Sequence, residues 1–445
     1  MADDTDGSGG DAEAQSDRSA SEGGILQILG PGLITGASDD DPSGIATYSQ
    51  AGAQFGFDLG WTLLLSWPLM CAIQEISARI GRVTGRGIAG NLKKHYPNVV
   101  VVALVTLLVV ANVINLGADL GAMGAALKLV LGGGDPHRGG PLLLYVALFG
   151  IASLILEVFV KYARYVAVLK WLTLSLFAYV GVVFVIKMPW AQVLHDLVLP
   201  HLSAKSGYLT VIVAILGTTI SPYLFFWQAE EEVEEVKERD SAKPLKRAAD
   251  QADGEFRRIR LDTYIGMGLS NAVALFIVLT TAATLHAHGV TDIQTSSQAA
   301  LALKPIAGPL VFWVFGLGIV GTGLLALPVL AGSAAYAVGE AAGWHVGLAR
   351  KPSRAKAFYG VIAAAMAIGV VLNLVQIDPI KALFWSAVIN GVVAVPVMVL
   401  IMHLATHHEA MGEFRLHRGL TIMGWLATAV MAVAAVGMFA TMGSS

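Results

Sequence analysis

An all-α integral membrane protein with about eleven transmembrane helices, two of them broken near the middle, is the fold this sequence predicts. Hydrophobic residues make up 55% of the 445 residues and charged residues only 14%, far from the balance of a soluble globular chain. Apolar runs of about 20 residues, the length that spans a bilayer, recur along almost the whole chain after residue 24. Two of these runs contain helix-breaking signals, Asp41-Pro42-Ser43-Gly44 and Thr218-Thr219-Ile220-Ser221-Pro222. Proline removes a backbone donor and pushes the preceding residue out of the α region. Unwound backbone at bilayer depth survives only where it lines a cavity.

Residues 1 to 24 are rich in Ser, Gly, Asp and Glu, lack the charged start and apolar core of a signal peptide, and read as a disordered cytoplasmic tail. Span one, 26 to 54, is broken at 41 to 44; spans two to five follow at 58 to 80, 98 to 127, 141 to 160 and 164 to 187. Span six, 207 to 229, is broken at 218 to 222, and spans seven to eleven occupy 262 to 286, 308 to 338, 357 to 376, 379 to 404 and 418 to 441. The sizeable polar insert, 230 to 260, has too little apolar content to be a domain of its own. Pro42 and Pro222 lie 180 residues and five spans apart, so the second set of spans starts with opposite topology. That parity is what an inverted repeat requires, and paired breaks of this kind mark a transporter's substrate site. The expected division is residues 25–206 and 207–404 as two five-helix repeats, with 405–445 a loop and a final helix.

Lys and Arg fix the orientation. With a cytoplasmic N-terminus, the inside loops hold Arg79, Arg82, Arg86, Lys93 and Lys94, then Lys161 and Arg164, then eight basic residues from Lys237 to Arg260. Arg350, Lys351, Arg354, Lys356, Arg415 and Arg418 continue the series, whereas the outside loops hold only Lys128, Arg138, Lys187, Lys205 and Lys304. The protein is therefore expected to be a multi-pass protein of the plasma membrane with its C-terminus outside. The expected partners are the lipid bilayer and a transported ion. No nucleic acid and no cofactor is expected, and no nucleophile–base pair or zinc-binding helix suggests an enzyme. The lone Cys71, inside span two, reads as an inert buried thiol.

One break carries carboxylates and the other hydroxyls, so the substrate is expected to be a hard cation, a divalent metal ion. Asp41 is a charged group at bilayer depth, which costs about 2.5 to 3.5 kcal/mol by insertion scales, and span one offers no Lys or Arg to pair with it. A cation is its natural partner, although Asp also caps a helix resuming at Ser43 or Gly44. Asp39 and Asp40 cannot both join Asp41 around one ion, and they read as mouth-lining or structural. Thr218, Thr219 and Ser221 offer hydroxyl oxygens, and Pro222 deprives the carbonyl of Thr218 of its helical donor; the same hydroxyls can instead satisfy backbone at the kink. Neither broken segment presents Cys, His or Met, which leaves a soft metal without a selective handle and suits Mg²⁺, an ion that keeps several of its waters. Asn390 in span ten reads either as an oxygen donor to the site or as interhelical glue. Asp119 in span three is a candidate for an ion or proton pathway, and Glu75 in span two reads as the ion-pair partner of Arg79. The acidic run Glu230–Glu235 is a candidate cation attractor at the inner mouth or a solvated helix face. His201, His286, His288, His403, His407 and His408 read as interfacial.

The chain resembles the Nramp family of divalent metal transporters along nearly all of its length after residue 28. The likeness runs from Gly30-Pro31-Gly32 through Ala51-Gly52-Ala53-Gln54-Phe55-Gly56 and Gly81-Arg82-Val83-Thr84-Gly85 to Ala410-Met411-Gly412-Glu413-Phe414. It implies the leucine-transporter-like fold. The family's Asp-Pro-Gly-Asn and Met-Pro-His signatures read here Asp41-Pro42-Ser43-Gly44 and Ser221-Pro222-Tyr223. Asp41 thus carries over as a metal ligand, Gly44 replaces the asparagine, Ser221 the methionine, and Thr218 stands where an alanine carbonyl binds metal. In these departures the sequence is most similar to the Nramp-related magnesium transporters, which move Mg²⁺ and Mn²⁺. Tyr223 and Gln228 replace histidines, and Ala122 replaces a glutamate that follows the aspartate matched by Asp119. Because those groups belong to the proton route, the resemblance implies uptake of partly hydrated Mg²⁺ or Mn²⁺ by alternating access without proton coupling. The competing readings are a proton-coupled Mn²⁺/Fe²⁺ transporter and an amino-acid transporter of the same fold, whose substrate carboxylate Asp39–Asp41 would repel.

Overall fold

The computed structural model describes residues 36, 39–135, 138–160, 174–200, 207–239, 242–375 and 377–442. The N-terminal tail, the start of span one, residues 161–173 (the loop before span five and its start), and His201 lie outside them. All regular structure among the described residues is helical. The first half contains α1 (Pro42–Phe55), α2 (Gly60–Thr84), α3 (Ile88–His95), α4 (Asn98–Leu131), α5 (Leu142–Phe159), α6 (Phe177–Val185) and α7 (Trp190–Val198). The second half contains α8 (Tyr208–Thr219), α9 (Pro222–Glu238), α10 (Ala252–Thr284), α11 (Val311–Ala342), α12 (Lys356–Leu372), α13 (Pro379–Thr406) and α14 (Arg418–Met442). Among the described residues, eight segments are long and apolar enough to cross a membrane, α8 and α9 together forming one of them. The other three expected spans correspond to α1, α2 and α6. In α2, Glu75, Arg79 and Arg82 lower the hydropathy of its last turns.

Both breaks are present, displaced by a residue or two from their expected limits. Asp39 is helical, Asp40 bends, Asp41 is extended (φ −71°, ψ 169°), and α1 begins at Pro42 rather than at Ser43 or Gly44. Proline suits the first helical position because its missing N–H would have no partner there and its φ is already helical. In span six the helix runs through Thr218 and Thr219; only Ile220 and Ser221 are unwound before α9 starts, again on a proline, Pro222.

The helices pack in two groups. α10 packs on α1 and α2, and α2 on α9; α4, α5, α11 and α12 pack together in the other group, and α9 joins the two through α11. α8 lies on α13, and α14 covers both. Gly217 explains the closeness of the first of these contacts: a Cβ there would lie 2.1 Å from the carbonyl oxygen of Ala387 and 2.5 Å from the amide nitrogen of Gly391. The outer faces of α4, α5 and α14 expose Val102, Val110, Leu148, Ile151, Ile155, Val433 and Val436, side chains that suit lipid. Polar groups point inward, where an ionisable side chain marks function by default.

The ends of the bundle differ. At the end bearing the basic loops, Arg79 pairs with Glu75 (2.6 Å), Arg82 with Glu255 (3.0 Å), and Arg258 with Glu232 (2.6 Å), Glu235 (2.9 Å) and Glu255 (2.8 Å). The expected Glu75–Arg79 pair is therefore present. The acidic run is neither a free attractor nor a solvated face: Glu230 and Glu232 are buried, and Glu232 and Glu235 are held by Arg258. At the opposite end a cavity of about 410 Å³ opens between α1, α8 and α13, bordered by Gln50, Gln54, Thr210, Asp292, Lys381 and Trp385.

Candidate metal site at the two helix breaks

Asp41 stands at the centre of the bundle, 1% exposed. As N-cap of α1, its Oδ1 accepts from the Gly44 amide (2.8 Å) and from the Ser43 hydroxyl (2.6 Å). Its Oδ2 accepts from Asn115 Nδ2 of α4 (3.0 Å) and, at 3.4 Å, from the Tyr223 hydroxyl of α9. Ser386 of α13 in turn donates to Asn115 Oδ1 (2.7 Å). Four helices thus orient one carboxylate. Capping and charge presentation coexist, because a carboxylate has lone pairs beyond those the cap uses.

Gly44 brings the two breaks together. A Cβ at this position would meet Thr218 Oγ1 at 3.1 Å, Tyr48 Cε2 at 3.2 Å and Asp41 Oδ1 at 3.6 Å. The Thr218 hydroxyl oxygen is buried and makes no well-formed hydrogen bond, nor does that of Tyr48, with which it interacts. Glycine is what leaves these oxygens uncovered. The space is also tighter than expected from sequence, since even one carbon atom would crowd Thr218 and the Tyr48 ring.

Ser221 closes the other break. Its hydroxyl donates back to the carbonyls of Gly217 (2.7 Å) and Thr218 (2.9 Å), supplying the donor that Pro222 cannot. The Thr218 carbonyl is therefore not left free. Thr219 likewise donates to Ile215 (3.0 Å), inside its own helix.

The remaining candidates divide. Asp39 Oδ2 (2.6 Å) and Asp40 Oδ1 (3.0 Å) both accept from Ser270 of α10. They are buried, 1% and 8% exposed, so a solvated role is ruled out, and the contact turns them toward α10. Asp119 is fully buried in α4 with neither oxygen hydrogen-bonded, close enough to Asp41 and Tyr223 to interact electrostatically. Asn390 is also buried with both amide atoms unpartnered, which removes the interhelical-glue reading; it precedes Gly391, whose backbone touches Gly217 beside the break. The polar side chain of α13 that is hydrogen-bonded into the Asp41 shell is Ser386, one turn earlier.

Sequence reasoning missed Asn115, Ser386 and Tyr48. Each carried a signal in its spacing: Asn115 and Asp119 are four apart on one face of α4, Ser386 and Asn390 four apart on α13, and Asp41, Gly44 and Tyr48 follow the helical repeat. Met123, one turn beyond Asp119, packs its sulfur over Gly323, where a Cβ would meet it at 2.5 Å and Pro42 Cγ at 3.3 Å. No sulfur is among the described hydrogen-bonding contacts of the Asp41 carboxylate.

A broken-helix carboxylate met by a second broken helix can be compared with known proteins. Residues 32–441 match the family model described as natural resistance-associated macrophage protein-like, Nramp. The chain belongs to the Nramp family. Among its curated relatives, the divalent metal cation transporter MntH of Klebsiella pneumoniae (strain 342) is 26% identical over 414 residues, covering 91% of this chain and 92% of the relative. MntH of Chromohalobacter salexigens is 29% identical over 307 residues, 67% of this chain and 66% of the relative. Of solved structures, a manganese transporter from Eremococcus coleocola superposes with a TM-score of 0.68 at 17% identity, over 94% of this chain and 88% of that one. Mhp1, of the nucleobase-cation-symport-1 family, gives 0.56 at 12% identity over 93% of each chain. These likenesses establish for this Nramp protein the leucine-transporter-like fold expected from its sequence.

Proposed function

We propose that this Nramp protein carries divalent metal ions, Mg²⁺ and Mn²⁺, into the cell by alternating access, with the N-terminus cytoplasmic and the C-terminus outside. The observation that carries the reading is the Asp41 carboxylate, buried at one helix break, held by donors from three helices and set close to the uncovered Thr218 hydroxyl beside the other. The ligands are Asp41 and Thr218, with the backbone at Gly44, Ser221 and Asn390 completing the site directly or through waters the ion retains. A carboxylate with neutral oxygens suits hard ions, and a site without a thioether does not favour Cd²⁺. The relatives named as divalent metal and manganese transporters support Mn²⁺. Mg²⁺ rests on Ser221 in place of methionine.

Transport is proposed to be passive, because Tyr223, Gln228 and Ala122 replace the groups of the proton route. A second reading, proton-coupled Mn²⁺ transport, is favoured by Asp119, an unpartnered buried carboxylate beside Asp41. Flux into proteoliposomes separates the two: passive transport brings in Mg²⁺ and Mn²⁺ without acidifying the lumen, and a pH drop that tracks metal concentration rejects it. Ser221→Met is expected to shift competition toward Cd²⁺ and reduce Mg²⁺ flux. Wild-type protein that excludes Mg²⁺ yet binds Cd²⁺ tightly would overturn the hard-ion assignment.

A further inference from the structure

At the end of the bundle that bears the basic loops, three side chains from separate elements converge away from Asp41. His95 ends α3, His407 follows α13, and Glu409 lies in the turn after it; one ligand atom from each falls within 4.8 Å of the other two. His95 Nδ1 is 4.0 Å from Glu409 Oε2, and the His95 and His407 ring centroids are 5.9 Å apart. His407 Nδ1 is buried without a hydrogen-bond partner. Such an orphaned imidazole nitrogen costs free energy unless something fills its lone pair or takes its proton. One side of the cluster is closed and the other open, since the His95 side chain is 9% exposed and that of Glu409 77%.

We infer that His95, His407 and Glu409 form a second metal site, for an imidazole-seeking transition ion of the Zn²⁺ class, separate from the transport site. Two imidazoles and one carboxylate are a familiar three-ligand set for Zn²⁺, with water in the fourth position. With ligand bonds of about 2.0–2.2 Å, tetrahedral donors lie about 3.3–3.5 Å apart, so the cluster closes by side-chain rotation of about 1 Å. His403 stacks behind His407 at 5.9 Å and is engaged by the Tyr96 hydroxyl, which fixes its ring. Lys246 donates to the Glu409 backbone carbonyl (3.0 Å) rather than to its carboxylate. The donor chemistry is the opposite of that around Asp41: nitrogen-rich, and so weak for Mg²⁺ and strong for Zn²⁺. A bound ion would staple α3, the helix between the second and third spans, to the end of α13.

The test is titration of the purified full-length protein with Zn²⁺ alone, followed by calorimetry, in millimolar Mg²⁺ to occupy the transport site. Wild type and Asp41→Ala are expected to bind one equivalent with the same affinity, and His95→Ala and His407→Ala to lose it. Glu409→Gln, at an exposed position where folding is not at stake, is expected to weaken binding at least about tenfold. Co²⁺ in place of Zn²⁺ should give the visible absorption of a four-coordinate ion in wild type and lose it in Glu409→Gln. Zn²⁺ binding that disappears in Asp41→Ala assigns it to the transport site and overturns the inference. So does binding unchanged in Glu409→Gln or in either histidine variant.

Discussion

Replacing Asp41 by asparagine removes the charge and keeps the shape, so it isolates what the carboxylate does for the ion. The Ser43 and Gly44 donors can still reach an amide oxygen, and α1 keeps its cap. On the other side, an amide NH₂ would face two donors, Asn115 Nδ2 and the Tyr223 hydroxyl. A divalent ion about 4 Å from one carboxylate, at an effective dielectric of about 20, gains about 8 kcal/mol of gross Coulomb energy. Ion dehydration offsets most of that, yet a net third, about 3 kcal/mol, is a factor of more than about 100 in Kd. Without metal the variant is expected to fold normally, because losing an unpaired buried charge relieves desolvation. The assay is Mg²⁺ and Mn²⁺ uptake into proteoliposomes, with calorimetric binding and a melting curve on the same preparation. Expected are a normal melting curve, at least hundredfold weaker binding and no measurable uptake. Asp41→Asn protein that transports within about twofold of wild type would refute the placement of the ion at this break.

Asn115→Ala removes a hydrogen bond to a charged group, worth about 1.5–3 kcal/mol, while the Ser386 hydroxyl keeps the Leu383 carbonyl as its acceptor; metal affinity measured by calorimetry should fall about tenfold or more with the fold intact. Arg258→Ala leaves the buried Glu232 without its ion-pair partner while Glu235 keeps Arg239, a loss of about 3–5 kcal/mol for a broken buried pair, visible as a lower melting temperature. Glu340→Ala deprives the Gly87 and Gly90 amides at the start of α3 of their acceptor, at 2.8 and 2.7 Å. It should loosen α3 and raise amide hydrogen exchange over residues 87–90, while exchange in α10 stays unchanged.

The fold was legible because its signals are local. A proline in an apolar run forces a break wherever the chain folds, and the Glu75–Arg79 pair follows from two residues four apart on one helix. The register of the breaks was less legible: Pro42 and Pro222 do not sit in the unwound segments but start the helices that follow, moving Thr218 and Thr219 into α8. The partners of the site were hidden by sequence distance. Asp39 and Asp40 share Ser270, some 230 positions along the chain, and Asn115 joins Asp41 to Ser386 across three helices. Asn390 stood out as an amide in an apolar run, whereas Ser386 was passed over because a serine does not disturb hydropathy. The histidine cluster was hidden by sequence distance: His95 ends α3 and His407 follows α13, some 310 positions later.

The distribution of contacts shows which parts can move together. The ion pairs of Arg79, Arg82 and Arg258 all lie among α2, α9 and α10, helices of one packing group. Motion of that group against α4, α5, α11 and α12 would leave these pairs intact. Among the described contacts at this end, the two groups meet along α9 and α11: Trp227 packs against Tyr336 and Gly332, and Glu340 of α11 has Glu230 of α9 beside it while holding the Gly87 and Gly90 amides of α3. Hydrogen bonds of this kind contribute only about 1.5–3 kcal/mol each where one partner is charged, so a few of them can be exchanged for others of similar strength. Contacts that can be exchanged in this way would suit the proposed alternating access, which needs two packed arrangements separated by a few kcal/mol. Asp41 is attached to both: its cap lies on α1, its Asn115 bond on α4. Any relative motion of the groups therefore reaches the carboxylate directly, and the same contacts that hold the proposed ion would change when the opposite end closes.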